Sequence, residues 1–282
     1  MVRIRIICPV CHKSSYIDVL VDVIKGVSRG LLSVNISPGL VCSHNFIAYI
    51  DKNLNVRDYF ATDFQIELPK LINEKKFEIN KIPKKEIIDL DLIKLNMPAM
   101  QLTYILKSIF LKQKILLIYD EEFMHPHFHN FFKFLTENSF EINIIIMTEQ
   151  KYEHEKKNYI DSMVFKETSM LKNVKKLINP KKLSIEKQIV NRFITENDLN
   201  YGYILLKNEI IKAYELSKDI VDFINDLKER NEIINVLKIK TKLEQKYEIK
   251  INTFYLAFLI EIVSNYHEIA LPSFAESFYD FL

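Results

Sequence analysis

The sequence contains few cysteines and few glycines, 3 and 4 respectively among 282 residues. Three cysteines cannot form a disulfide framework without leaving one over. The chain also does not open with the apolar segment and cleavage site of a secretory signal. These absences argue against a disulfide-stapled secreted protein, and we therefore expect a reducing, cytoplasmic environment.

Long apolar runs and a surplus of one charge are also absent. The most apolar stretch, 254–263, is interrupted by Glu261 and is shorter than the roughly 20 residues that cross a bilayer, so no membrane span is expected. With 39 basic and 37 acidic residues, the net charge of +2 encodes no general attraction to phosphate backbones. The 48% of hydrophobic residues is typical of a folded protein.

No glycine occurs between Gly39 and Gly202, so the middle of the chain lacks the GxxxxGK[ST] loop that cradles phosphates. The apolar run beginning at Ile115 nevertheless ends in Asp120 and Glu121, and it is similar to the Walker B segment of P-loop NTPases. Nucleotide hydrolysis by this chain alone is not expected. The segment is either a strand end with solvated acids or half of a nucleotide-binding core.

The remaining patterns predict a multidomain α+β protein with three domains. Residues 1–80 contain short runs rich in Val, Ile and aromatics and are predicted to form a β-rich zinc-binding module. Residues 81–179 alternate apolar strands with helices, which predicts a Rossmann-like α/β domain without a P-loop, its parallel sheet covered on both faces. Residues 180–282 are predicted to form a helical or winged-helix domain.

Individual elements follow from apolar periodicity. In the first domain we expect strands at 2–7, 16–24, 31–36 and 45–50, then a hairpin strand with Tyr59, Phe64 and Ile66, and a lysine-rich covering segment at 68–91. In the second we expect helices at 98–112, 127–138 and 169–178 and strands at 114–119, 142–147 and 163–166.

In the third domain, helices are expected at 185–195, 204–214, 218–231 and 253–266, with Ser217 capping the third. Residues 233–240 and 247–251 are expected to pair as a hairpin, an order of elements that resembles a winged-helix unit. The aromatic C-terminus is expected to pack on the protein's own core or in a groove of another subunit. It contains Phe274, Phe278, Phe281 and Leu282.

All three cysteines lie in two short clusters, Cys8-Pro9-Val10-Cys11 and Cys42-Ser43-His44. Thiolates and imidazole nitrogens are preferred ligands of tetrahedral zinc, and Cys-x2-Cys lets two thiolates of one turn reach a single ion. The spacing predicts a closed structural zinc site, with His12 as an alternative ligand. Its predicted ligands are Cys8, Cys11, Cys42 and His44. The competing interpretation is that the cysteines are buried core residues.

A second set of candidate metal ligands comprises Asp120, His125, His127 and His129. In open α/β sheets, sites lie beyond the carboxyl ends of the strands, where this segment falls. It gives a metal-dependent hydrolase as one alternative function. The other interpretation is that Pro126 starts a helix whose exposed first turn carries the histidines.

Lysines are densest directly before the predicted winged-helix elements, at Lys172, Lys175, Lys176, Lys181 and Lys182. Lysines near a recognition helix contact phosphates, which makes a nucleic-acid-binding regulator another alternative. The predicted helix at 218–231 is acidic, however, and an acidic recognition helix repels DNA. Solvated lysines are the simpler interpretation.

The stretch from Gly39 to Asn53, followed by Val56-Arg57-Asp58-Tyr59, resembles a segment of uncharacterised archaeal proteins that also carry a CPxC pair upstream. The resemblance covers only the N-terminal module. It implies metal-ligand roles for Cys8, Cys11, Cys42 and His44 and leaves the function open. The sequence departs from the pattern at His12, where zinc turns often have glycine.

A closed metal site, a nucleotide-like core without its phosphate loop and an apolar C-terminus together favour one function. We expect a non-catalytic intracellular adaptor or regulatory subunit that binds other proteins. Its oligomeric state does not follow from the sequence.

Overall fold

The structure, a computed structural model, describes residues 2–19, 31–61, 68–69, 88–196, 198–269 and 271. These residues form a mixed α+β protein with three small sheets. Several predicted features lie outside the described residues: the strand end at 20–24, the strand residues Phe64 and Ile66, most of the covering segment, and the aromatic residues from Phe274 to Leu282.

The described strands are β1 (Val2–Ile7), β2 (Ser14–Val19), β3 (Leu32–Ile36), β4 (Phe46–Ile50), β5 (Val56–Ala61), β6 (Lys114–Ile118), β7 (Ile144–Met147), β8 (Ser162–Lys166) and β9 (Ser169–Lys172). The described helices are α1 (Leu90–Asn96), α2 (Ala99–Phe110), α3 (His125–Leu135), α4 (Glu149–Glu155), α5 (Ser184–Thr195), α6 (Leu199–Glu229), α7 (Val236–Tyr247) and α8 (Thr253–Tyr266).

The N-terminal region consists of two antiparallel sheets. β1 pairs with β2 as a hairpin, and β4 lies between β3 and β5. Alternate residues of β1, Ile4 and Ile6, are buried, whereas all five residues of the central strand β4 are buried. Ile6 packs in the same small core as Phe46 and Ala48 of β4. This shared core joins the hairpin to the three-stranded sheet.

The central sheet has the strand order β7-β6-β8-β9, in which β6, β7 and β8 are parallel and β9 is antiparallel. Ile115 and Leu117 of β6 face the main helical core, whereas Leu116 and Ile118 face a second cluster that includes Tyr152 of α4. The prediction is confirmed for the three parallel strands and for packing on both faces, whereas the fourth strand makes the sheet mixed and the Rossmann-like domain stays a prediction. The predicted helix at 169–178 is wrong, because residues 169–172 form the edge strand β9 instead. Backbone pairing with β8 outweighs the short helical pattern.

The C-terminal region differs from its prediction in two ways. The helices expected at 204–214 and 218–231 are one 31-residue helix, α6. Ser217 lies buried within it, and its hydroxyl donates to the carbonyl oxygen of Tyr214 at 2.7 Å, so it is not a cap. The side chain of Asp198 caps this helix by accepting from the amides of Asn200 and Tyr201.

The predicted hairpin at 233–240 and 247–251 is also wrong, because α7 occupies most of that range. Val236, Ile239 and Leu243 are buried at helical spacing and pack in the main core. This burial outweighs the alternating pattern of Val236-Leu237-Lys238-Ile239-Lys240. The described residues therefore have a helix where a winged-helix unit requires its wing.

The sheet β3-β4-β5 also packs on the helices. Ile47, Tyr49 and Phe60 belong to the main helical core. A carboxylate oxygen of Asp58 accepts a 2.6 Å hydrogen bond from the amide of Ala99 at the start of α2, which stabilises that helix end. The three-domain division stays a prediction, since hydrophobic packing continues across its first boundary.

A buried ion cluster joins three helices of the main core. The ammonium of Lys107 in α2 lies 3.0 Å from Glu186 of α5 and 2.6 Å from Glu261 of α8. Lys107 and Glu186 are both buried. None of the helices in the described part of the chain is long and apolar enough to span a membrane.

Candidate metal centre

The first ligand turn follows β1. The amide of Val10 donates to the sulfur of Cys8 at 3.4 Å, and the amide of Cys8 donates to the carbonyl oxygen of Lys13 at 2.8 Å. His12 has a φ of 58°, in the left-handed region. The turn thus has the backbone conformation that glycine adopts without strain, although a histidine stands there.

The second ligand turn connects β3 to β4. Gly39 has a φ of 97°, and its amide donates to the carbonyl oxygen of Cys42 at 2.7 Å. The amide of His44 donates to the sulfur of Cys42 at 3.4 Å. Both turns therefore direct a backbone N–H toward a cysteine sulfur, which helps to fix the position of that sulfur.

The two turns bring the four predicted ligands together. Sγ of Cys8, Cys11 and Cys42 and one ring nitrogen of His44 all lie within 4.8 Å of one another. Nδ1 of His44 lies 3.5 Å from the sulfur of Cys42 and 3.8 Å from that of Cys8. Tetrahedral zinc with ordinary bond lengths gives sulfur–nitrogen edges of about 3.6 Å. The donor atoms and their separations therefore fit a metal ion.

The thiols of the cluster have different acidities. The amide of Lys13, which donates to Cys11, lowers the pKa of Cys11 to about 7. Burial raises the pKa of Cys42, against the opposing amide of His44. Thiolates bind metal and thiols do not, so a cation bound at the centre of the cluster would supply an attraction that offsets burial.

The cluster lies where the two N-terminal sheets meet. Cys8 is buried and shares its core with Ile6 and Phe46. A second contact between the sheets is the 3.0 Å hydrogen bond from the amide of Ile7 to the hydroxyl of Tyr59. An ion held by both turns would cross-link the hairpin to the three-stranded sheet. His12 is exposed and lies outside the ligand group.

The second set of candidate ligands does not converge. Nε2 of His125 lies 2.7 Å from the carbonyl oxygen of Tyr119, and Nδ1 of His127 accepts from the amide of Asp89 at 3.2 Å. A carboxylate oxygen of Asp120 accepts from the amide of Glu149 at 2.8 Å. Over the described ranges, the Cys8 cluster is the only group with metal-ligand geometry.

The interpretation of these histidines as a helix start is confirmed, since α3 begins at His125 with Pro126 in its first turn. Among the histidines, the expected exposure is found only at His129, because His125 and His127 are half-buried. Asp120 follows β6 and is engaged with the start of α4. The geometry therefore supports the reading of a strand end with acids and gives no support to a hydrolase centred on Asp120.

The basic cluster begins at Lys172, the last residue of β9, and its other four lysines lie between β9 and the start of α5. All but Lys172 are exposed. Among the described residues they form no ion pair. The acidic residues predicted to oppose nucleic acid lie in the second half of α6. Asp219, Asp222 and Asp226 line a groove of about 140 Å³ between α6 and α7.

Sequence reasoning missed the ion cluster of Lys107, Glu186 and Glu261. A signal was present, because Lys107 and Glu261 interrupt strongly apolar stretches of α2 and α8. Glu186 is 79 residues and Glu261 is 154 residues from Lys107 along the chain, so sequence spacing could not identify the pairs.

Comparison with protein-family models, curated proteins and solved structures finds no match. The resemblance to archaeal proteins thus stays a prediction, and function has to be argued from the residues themselves.

Proposed function

We propose that the protein is a non-catalytic adaptor or regulatory subunit that binds other proteins. In this proposal, one structural zinc ion at Cys8, Cys11, Cys42 and His44 holds its N-terminal module together. The observation that carries the proposal is the junction of two sheets by four protein ligands. Four protein ligands complete the coordination of tetrahedral zinc and leave no position for a substrate.

Zinc is proposed because of the donor set. Three soft thiolates with one imidazole suit zinc or iron and disfavour magnesium and calcium, which prefer oxygen. When bound, the ion supplies cross-linking bonds. Backbone amides at Val10 and His44 hold the sulfurs of Cys8 and Cys42 in place for it.

Protein binding is supported by apolar side chains exposed beside the ligands. Val10 in the first turn is 45% exposed, and Leu40 before the second is 56% exposed. The central sheet, with its three parallel strands, supports the description as a Rossmann-like core. That core lacks a glycine loop for a phosphate, which favours a scaffold over a nucleotide enzyme.

Metal analysis and affinity purification test this proposal together. We expect one zinc per chain in the purified protein and a partner that co-purifies at a constant ratio from native extract. Protein without metal, or a protein that remains a monomer with no co-purifying partner, would contradict the proposal.

A second candidate is nucleic-acid binding through the basic cluster, favoured by its exposed lysines without ion-pair partners in the described structure. It predicts binding that weakens steeply with salt and is reduced when Lys175 and Lys176 are both replaced by glutamate. Unchanged affinity in that variant would exclude this surface.

A further inference from the structure

The β1–β2 hairpin has an outward face that no described element covers. We call it the hairpin face and define it by Arg3, Arg5, Ile7, Ser14, Tyr16 and Asp18. All six side chains are exposed, whereas the alternate residues Ile4 and Ile6 point into the core. The face therefore belongs to a rigid two-stranded sheet with its opposite side packed.

The charge on this face is predominantly basic. Arg3 pairs with Asp18 across the strands at 3.4 Å, which neutralises that end. Arg5 donates only to the hydroxyl of Ser14, at 3.3 Å, and Lys13 follows the ligand turn at the other end. Within the described chain, neither Arg5 nor Lys13 has a carboxylate partner. Two cations thus remain for a partner's acidic groups.

Apolar groups stand among these cations. Tyr16 lies directly opposite Arg5 in the strand register and is 65% exposed, and Ile7 is 37% exposed. Tyrosine and arginine are the residues that most often dominate binding energy at protein interfaces. The apolar side chain of Ile7 cannot pair with a phosphate, and the net charge of +2 gives the chain no general attraction to nucleic acid. The composition therefore favours a protein partner over a nucleic acid.

We propose that the hairpin face is the docking surface of the adaptor and that its partner presents an acidic segment containing apolar side chains. This inference rests on the proposed function and deepens it. Cys8 follows Ile7 directly, and Cys11 is two residues before Lys13, so a bound metal would fix the end of the face at which the unpaired cations lie.

The test uses the full-length, zinc-loaded protein and a short synthetic peptide that alternates aspartate with leucine and phenylalanine. Fluorescence anisotropy should show saturable binding that weakens as salt is added. Replacing aspartate by lysine in the peptide should abolish binding. Tyr16→Ala and Arg5→Glu should each weaken it by about tenfold or more.

Tyr201→Ala is the matched control, because Tyr201 is a 51% exposed tyrosine on helix α6 and does not belong to the hairpin face. It should bind the peptide like the wild-type protein. Zinc content and amide spectra of each variant verify that the hairpin remains folded. Equal binding of the lysine peptide, or unchanged affinity in both hairpin variants, would overturn the proposal. Tighter binding of an oligothymidylate that is lost in Arg5→Glu would do so too, by assigning the face to nucleic acid.

The outcomes separate this inference from the proposed function. If a partner co-purifies equally well with Tyr16→Ala and with the wild-type protein, the adaptor function stands and the hairpin face is the wrong surface. If no partner co-purifies with the wild-type protein, the adaptor function itself fails.

Discussion

The hairpin and its neighbouring sheet share a small core, whereas the helices after residue 88 pack around a core many times larger. In the small core, Cys8 is buried beside Ile6 and Phe46, and its sulfur belongs to the group of four potential metal ligands. In the large core, Lys107 and Glu186 are buried as an ion pair. A small core buries little apolar surface, so bonds to a metal would matter most there. A large core tolerates the desolvation of a charged pair.

The largest effect is expected from the loss of one candidate metal ligand. Cys8→Ser should abolish stoichiometric metal binding and expose the backbone amides of β1 to β5 to hydrogen exchange, while α6 stays protected. The effect should be large, because structural zinc contributes apparent free energies of about 10–16 kcal/mol in small zinc peptides.

Ser43→Ala is the control for this change, since Ser43 lies between two ligands and is not one itself. It should keep one zinc per chain and normal protection. A Cys8→Ser protein with unchanged exchange in the N-terminal sheets would show that their apolar core suffices without a metal.

The second prediction concerns the large core. Lys107→Met removes the cation and leaves Glu186 buried without its partner, which should lower the free energy of unfolding by about 3–5 kcal/mol. Lys238→Met breaks an exposed pair with Glu232 and should cost no more than about 1 kcal/mol. Urea denaturation followed by circular dichroism measures both.

The zinc content of both lysine variants is a second measurement, because it shows whether the N-terminal region is affected. Both lysine variants should retain the same zinc stoichiometry as the wild-type protein, because neither residue lies near the ligand cluster. A Lys107→Met protein that is as stable as Lys238→Met would mean that Glu186 is neutralised in some other way.

The two regions also differ in how far the sequence predicts them. The four ligands are recognisable because residue type and short spacing specify a zinc turn by themselves. The strands β1, β3 and β4 follow from local apolar runs. In the helical region, the outcome depends on distant partners: α7 forms because Val236, Ile239 and Leu243 pack into the main core, although the local pattern alternates. Glu186 and Glu261 come within ion-pair distance of Lys107 only when α2, α5 and α8 pack together.

The smallest expected effect is the gain in stability when a residue with a left-handed backbone is replaced by glycine. It distinguishes backbone strain from metal bonding, and each of the two regions has such a residue. His12 and Glu248 have φ angles of 58° and 54°, in the left-handed region that costs non-glycine residues about 1–2 kcal/mol. His12 follows a metal ligand, whereas Glu248 ends α7. Replacing either with glycine should stabilise its own region by about 1 kcal/mol or less, after the greater chain entropy of glycine is subtracted. Alanine at the same positions should not stabilise the protein, because it keeps the strain.

Hydrogen exchange measures the stability of the two regions separately. If His12→Gly increases the exchange protection of the N-terminal sheets only when zinc is bound, strain in the turn weakens metal binding. If the protection increases equally without zinc, the turn forms independently of the ion, and the metal cross-links a module that is already folded.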